Sequence, residues 1–434
     1  MALDTRAARP ANDRRMAVTA VLLSTSLLTT EARAGGLWLY EQASPDLATA
    51  GAGAASRAED ASTAFANPAG MTQLNETQIL FGAQAGFPSI HFDTDSATTT
   101  SGGSGGNAGN PFAAPATYFV HSLNDDLKLG FALVSYVGAA LDYGDNWAGR
   151  YFAQKVSFTT VSANPTLAYR VTPWLSVGAG PVFTYALLKE TAAINNSVLD
   201  PGYGDGKLKV DDGDFAVGGN FGIMLEPLEG TRIGVIYLTK SDFEFSNGNL
   251  RNLAPNTQAA VNAVGITGND AEIKLNVPQQ ALVSVNQDVT EDLTIMGDFG
   301  WQNWSEFGQV DLSLPSINGG GVTAKVQTQD TYHVAIGATY RFLEKWRYSL
   351  GFAYDTSAFS NKNRVAVMPF DRQIRIGTGV RYELNDDMTI GFAYEYLNLG
   401  DGKLEQSSAL GGTLSGDFKT NDIHFIDVTL NWRF

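Results

Sequence analysis

From Ile426 to Phe434 every second residue is apolar: Ile426, Val428, Leu430, Trp432 and Phe434, with Asp427, Thr429, Asn431 and Arg433 between them. Side chains of a β-strand alternate between its two faces, so this stretch has one greasy face and one wet face. The pattern returns along the chain. Met388, Ile390, Phe392, Tyr394 and Tyr396 alternate with Thr389, Gly391, Ala393 and Glu395, and Tyr332, Val334, Ile336, Ala338 and Tyr340 alternate with His333, Ala335, Gly337 and Thr339. One face is aliphatic with aromatic residues near the strand ends. The other is small or charged, as in strands whose outer face meets lipid and whose inner face lines a lumen.

Fourteen such segments are readable, beginning near Thr77, Pro115, Leu127, Lys155, Trp174, Val210, Thr231, Lys274, Leu293, Lys325, Trp346, Phe370, Met388 and Phe418. Many reach the roughly 9–11 residues that a tilted membrane strand requires. Their connections alternate in length. Short turns (Asn124-Asp125-Asp126, Thr172-Pro173, Glu226 to Gly230, Glu291-Asp292, Leu343 to Lys345, Asn385-Asp386-Asp387) interleave with long loops at 88–114, 138–154, 188–209, 241–273, 305–324, 357–369 and 399–417. That rhythm is the one expected of an outer-membrane barrel, with short turns in the periplasm and long loops outside. The even strand number places both chain ends on the periplasmic side. The fold class read from the sequence is therefore all-β: a 14-stranded antiparallel transmembrane β-barrel spanning residues 77–434.

Residues 1–34 read as a secretory signal, with basic Arg6, Arg9, Arg14 and Arg15, an apolar run from Met16 to Leu28, and an Ala32-Arg33-Ala34 cleavage site. Residues 35–76 are Ala/Gly-rich, include Arg57, Glu59 and Asp60, and are too small and polar to fold alone. They are expected to form an N-terminal plug, or hatch, inside the lumen.

Composition excludes other classes. The mean hydropathy is -0.09, and no apolar run approaches the ~18 residues of a membrane helix. The net charge is -16, and the first 34 residues hold five Arg against three acids, so the remainder is near -18. Nucleic acid is thus not expected as a partner, because phosphate binding needs clustered Lys and Arg. There is no cysteine and hence no disulfide framework.

Little in the chain points to catalysis, and neither a metal nor a cofactor is expected. Gly102-Gly103-Ser104-Gly105-Gly106 matches a nucleophile-elbow spacing but lies in a Gly/Ser-rich loop without the strand-turn-helix setting that motif needs. His91, His121, His333 and His424 are scattered and lack metal-ligand spacing. Asp205, Asp211, Asp212 and Asp214 form an acidic loop cluster that reads first as a solvated loop and second as a weak calcium or lipopolysaccharide-bridging site. Trp301, Trp304, Trp346 and Trp432 read as membrane-interface anchors. The segment 249–266 is unusually apolar for an external loop and reads as a short helix, either packed on the rim or offering a ligand groove.

The stretch Gly35-Gly36-Leu37-Trp38-Leu39-Tyr40-Glu41-Gln42, followed by Ala50-Gly51-Ala52-Gly53-Ala54-Ala55, Glu59-Asp60-Ala61-Ser62-Thr63 and Asn67-Pro68-Ala69-Gly70-Met71, resembles the FadL family of outer-membrane transporters for long-chain fatty acids and aromatic hydrocarbons. Gly149-Arg150-Tyr151, Asn164-Pro165, Thr231 to Gly234, Trp304-Ser305 and Gly351 to Asp355 extend the likeness over the whole chain after the signal. The resemblance implies uptake of a hydrophobic solute by a monomeric barrel surrounded by outer-membrane lipid and lipopolysaccharide, with lateral release under control of the hatch. It assigns gating to Asn67, Pro68 and Ala69, and contact with the ligand to Leu37 and Trp38. For a ligand carboxylate, Arg150, Arg232, Arg375 and Arg381 are candidates by charge. Fatty acids are the first expectation for the solute, aromatic hydrocarbons the second. A general diffusion porin is a further alternative, and an outer-membrane lipase would need a Ser/His/acid cluster.

Overall fold

The long/short loop rhythm resolves into a closed antiparallel cylinder. The computed structural model describes residues 40, 42–263, 271–307, 327–408 and 411–434. The signal segment, Leu37 and Trp38 lie outside the described residues. The staves are β1 (Gln78–Thr94), β2 (Phe112–Ser122), β3 (Leu127–Val134, resuming at Gly138–Asp142), β4 (Lys155–Thr172), β5 (Leu175–Ile194), β6 (Gly206–Leu228) and β7 (Thr231–Leu238, resuming at Ser241–Arg251). They continue with β8 (Ala271–Val277, resuming at Gln280–Asp288), β9 (Leu293–Gln302), β10 (Thr331–Leu343), β11 (Trp346–Asp355), β12 (Gln373–Glu383), β13 (Met388–Asn398) and β14 (Gly412–Arg433). Eighteen hydrogen-bonded segments make fourteen staves, because three staves are interrupted and Lys403–Ser408 is an extra arm folded onto the outer end of β14.

Closure comes from β1, which pairs on one side with β2 (Gln78 opposite Val120) and on the other with β14 (Gln78 opposite Arg433, through to Thr94 opposite Gly416). The two ends of the barrel chain therefore meet at one rim, the rim that also carries the short turns. Two of those turns share a local cause: Asn124 Oδ1 accepts the amides of Asp126 and Leu127 at 3.0 and 2.8 Å, and Asn385 Oδ1 accepts that of Asp387 at 2.9 Å, the Asx geometry that short polar side chains supply.

The alternation is kept around the wall. Val334 and Ile336 are 52% and 60% exposed, whereas His333 and Ala335, alternating with them, are buried against the plug. The main departures from the sequence reading lie at the outer end. Ser241–Arg251, Lys403–Ser408 and the outer parts of β5, β6 and β14 are strands in stretches read as loop, because hairpins continue past the bilayer as two-stranded ribbons. β10 is described from Thr331, and Lys325, where the sequence reading began it, lies outside the described residues.

The lipid-facing role of the exposed row predicts a depth-dependent penalty. Ile336→Arg, in mid-strand, should lower the unfolding free energy in bilayers by about 2–4 kcal/mol, and Leu343→Arg, at the rim, by about 0–1 kcal/mol. Urea titration in lipid vesicles measures both, and equal effects would contradict the assigned membrane depth.

Candidate functional site: a plugged lumen and an amphipathic pocket

The plug folds from short local motifs. Ser44 caps a 3-10 turn at Pro45–Thr49, α1 is the single turn Thr63–Ala66, and a second 3-10 turn spans Pro68–Gln73. Asn67 and Pro68 start this last turn. Proline at its first position has no N–H to leave unpaired, and the Asn67 Oδ1 accepts the Ala69 amide at 3.1 Å. The other end of the Asn67 side chain donates to the carbonyls of Ala55, at 2.6 Å, and of Ile223 in β6, at 3.1 Å. Asn67 is fully buried, so one side chain fastens two plug segments to the wall. Asn67, Pro68 and Ala69 are thus brought together at the plug–wall contact.

Plug and wall meet backbone to backbone where the inner face carries glycine. A Cβ at Gly234 would overlap the Ala55 carbonyl oxygen, and one at Gly351 the Thr49 carbonyl. Plug amides are met by wall side chains: Ala43 N–H donates to Gln84 Oε1 at 3.0 Å, Gly53 N–H to Asp298 Oδ1 at 2.8 Å, and Ala55 N–H to Ser284 Oγ at 3.1 Å. The plug's charges are also matched. Arg57 lies 2.8 Å from Asp46 and 3.6 Å from Asp60, and Glu59 lies 2.6 Å from Arg381 and 3.8 Å from Arg347. Burial opposes ionisation of Glu59, but Arg381, Arg57 and Arg347 outweigh it and hold the carboxyl at about 2.

Outward of the plug, a pocket opens between β9 and β14. Its lining combines an apolar set (Trp304, Phe370, Leu397, Leu399, Ile423) with a polar set (Gln302, Thr331, Asp355, Gln373, Arg375), together with Tyr40. The polar set is a ladder across neighbouring staves. His333 Nδ1 is 2.8 Å from Asp355 Oδ1, Arg375 is ion-paired with Asp355, and Glu395 lies 3.8 Å from Arg375 Nε. Tyr40 stacks on His333 at 4.4 Å, and the Arg375 guanidinium lies 5.1 Å from its ring centre.

Trp304 was expected at the membrane interface, and it is instead buried in this pocket, its indole donating to Gln302 Oε1 at 2.7 Å. Trp346 and Trp432 do face outward. Arg150 lies away from the pocket and pins external loops together, through Asp205 at 2.8 Å and the Ser101 carbonyl. Of the other arginines, Arg375 lines the pocket, Arg381 holds Glu59, and Arg232 sits at the turn end of β7. The external helix α2 spans Pro255–Ala263, its start held by Asp200, which accepts the amides of Asn256 and Thr257. Gly102–Gly106 forms irregular loop with no helix after it. Among the described residues no group of His, Cys, Asp or Glu is arranged to hold a metal ion. The apolar pocket residues were missed in the sequence, although a signal existed: Ile423 and Phe425 have the same parity as the inward Asp427, so the lumen face of β14 turns apolar toward its outer end.

A second irregularity lies in the wall. β2 pairs with β3 only up to Thr117 opposite Leu133, and with β1 only up to Gly86 opposite Phe112. Between Val134, opposite Ser162, and Gly138, opposite Thr159, β3 carries one residue more than β4 and bulges. Tyr136 and Val137 in the bulge are buried, and Tyr136 meets Phe65 of the plug with ring centres 5.5 Å apart. Beyond the bulge, an isolated bridge from Gly109 to Leu141 is the contact that β3 makes on that side among the described residues.

The model of the family described as outer membrane protein transport protein (OMPP1/FadL/TodX) matches residues 25–434. A long-chain fatty acid transport protein of Escherichia coli O6:H1 is 25% identical over 407 residues, covering 87% of this chain and 90% of that protein. Outer membrane protein P1 of Haemophilus influenzae strain Rd is 25% identical, covering 87% and 89%. Among solved structures, a Pseudomonas aeruginosa FadL homologue superimposes with a TM-score of 0.82 at 19% identity, covering 92% of this chain and all of the other, and the Ralstonia pickettii toluene transporter TbuX with 0.64 at 18%, covering 93% and 99%.

Two outcomes follow from the plug contacts. Gly234→Val should displace the segment around Ala55 and raise the resting conductance of the protein in planar bilayers, and unchanged conductance would mean the plug does not seal there. Glu59 has a folded value below its unfolded one, so its tether is complete above pH about 4.5 and is lost as the pH falls toward about 2. Conductance should rise through that window, and Glu59→Gln should already show the raised level at neutral pH.

Proposed function

The chain belongs to the OMPP1/FadL/TodX family of outer membrane transport proteins, and we propose that it takes up hydrophobic compounds by a lateral route gated by the hatch, long-chain fatty acids first and aromatic hydrocarbons second. It resides in the Gram-negative outer membrane as a fourteen-strand barrel with its short turns periplasmic. Its closed wall leaves no edge for a second copy, and it works as a monomer whose outer face is wetted by lipid and lipopolysaccharide.

One observation carries the route. A single apolar cluster joins Trp304, Phe359 and Phe370 at the pocket with Leu397, Ile423, Phe425 and Phe112 and with Tyr136 and Phe65 at the wall bulge, and it continues beyond the bulge to Phe158, Phe243 and Phe245. From β12 to β3 that is five strand spacings, roughly 24 Å at ~4.8 Å each. Such a path suits an extended hydrocarbon chain. Burial in it is favourable by about 0.8 kcal/mol per CH₂, so a greasy solute follows it in preference to a polar pore. The path leaves the lumen where β2, still paired with β1, has lost its ladder with β3 and where the plug, through Phe65, forms its inner edge. Asn67, Pro68 and Ala69 are the gating residues in this reading, because loosening their contacts frees α1 from the bulge. Leu37 and Trp38 just precede Tyr40 of the pocket and are assigned to ligand contact. Arg150 is assigned to holding the external entrance.

A general diffusion porin is disfavoured by the backbone-to-backbone fit of plug and wall. The absence of native cysteine allows a direct test. Ala52→Cys with Gly337→Cys joins plug to wall, where a Cβ at Gly337 would lie 3.0 Å from that of Ala52. Oxidised protein in liposomes should lose uptake of labelled oleate and toluene, and reductant should restore it, with Gly337→Cys alone as control. Uptake that survives the cross-link would refute hatch gating. Steady conductance of the wild type to ions, without uptake of either compound, would instead favour the porin.

A further inference from the structure

We infer that the pocket accepts its solute only in uncharged form; the inference rests on this pocket being the solute site proposed above. Arg375 is the one cation the pocket residues offer, and it is already committed. One of its terminal nitrogens is ion-paired with Asp355, the other donates to Gln373 Oε1 at 2.8 Å, its Nε faces Glu395 at 3.8 Å, and the ring of Tyr40 lies against the guanidinium. Arg375 and Glu395 are both about 1% exposed, so water does little to screen them.

The charges then decide the matter. Asp355 and Glu395 stand against Arg375 and His333. With both carboxylates ionised, the set is negative by one beside a neutral His333 and zero beside a protonated one, and no positive charge is left over. An incoming carboxylate would have to be desolvated and then either displace Asp355 from Arg375 or lie beside it unpaired. Burying an unpaired charge is far more costly than burying a neutral polar group.

The neutral groups of the polar set are likewise bonded to one another. Gln302 Nε2 donates to the Tyr40 hydroxyl at 2.9 Å, and Gln302 Oε1 accepts from Trp304 at 2.7 Å and from Thr331 at 3.3 Å. This set therefore orders the pocket and leaves binding to the apolar set. An aromatic hydrocarbon meets these terms as it is, and a fatty acid meets them as the protonated acid.

The test compares solutes that differ at the head. Equilibrium binding of 1-dodecanol, laurate and toluene to the protein in nanodiscs at pH 8, together with liposome uptake of each, separates head charge from chain length. Dodecanol should bind at least about tenfold more tightly than laurate, the difference expected when a charge lacks a partner. Asp355→Asn with Glu395→Gln releases Arg375, and the dodecanol-to-laurate affinity ratio should then fall by about tenfold or invert. Asp355→Asn alone should move the ratio the same way by a smaller step, which serves if the double variant does not fold. Laurate binding as tightly as dodecanol, or a ratio that neither variant alters, would overturn the inference while uptake of laurate left the transport reading intact. Uptake of none of the three solutes would overturn both. Toluene bound in preference to dodecanol supports the uncharged rule with an aromatic solute, and dodecanol in preference to toluene supports it with a long-chain one.

Discussion

Everything in this protein depends on the hydrogen-bonded seam between β1 and β14. Lipid offers no partner to a backbone N–H or C=O, so a sheet in a membrane is stable only when its first and last strands satisfy each other. The register from Gln78 opposite Arg433 to Thr94 opposite Gly416 does this over the full length of β1. Once the edge is gone, the outer row of Val334, Ile336 and their equivalents can be apolar throughout, and the inner row is free to be polar, small or charged.

The site follows from where that rule is relaxed. At Val134 to Gly138 the ladder of β3 is interrupted, and the groups it leaves are managed inside the protein rather than in lipid. Thr160 Oγ1, for example, donates to the Val137 carbonyl at 2.6 Å. The interruption and the pocket of Trp304 and Phe370 belong to one apolar cluster, which also continues past the bulge to Phe158, Phe243 and Phe245. The plug lies against both, through Phe65 and Tyr40. Its fit relies on absent side chains, since Gly234 and Gly351 let the Ala55 and Thr49 carbonyls touch the wall.

The barrel was legible in the sequence because period-2 alternation and turn chemistry are local. Asn124-Asp125-Asp126 and Asn385-Asp386-Asp387 name their turns by residue type alone, and the fourteen segments correspond to the fourteen staves. Strand ends at the outer rim were less legible, since ribbon and membrane strand share one pattern. The pocket was only faintly written. Leu397 and Ile423 face each other across the β13–β14 hairpin, and their meaning lies in a change of polarity at fixed parity, visible only once inward and outward have been assigned. Trp304 misleads for a related reason: tryptophan suits both an interface and a pocket, and Gln302, the partner that settles the choice, is two residues away on a strand end. The pairing of Arg375 with Asp355 and Glu395 is a tertiary fact, and charge alone could not separate Arg375 from Arg150 or Arg381.

The plug leads into β1 with only Leu74 to Thr77 between them, and β14 is the last strand of the chain. Biogenesis is thereby given an order. The cylinder cannot zip shut until its final stave is available, so the ladder between β1 and β14 is the last to close, and a stopper tied directly to β1 is held beside that seam from the start.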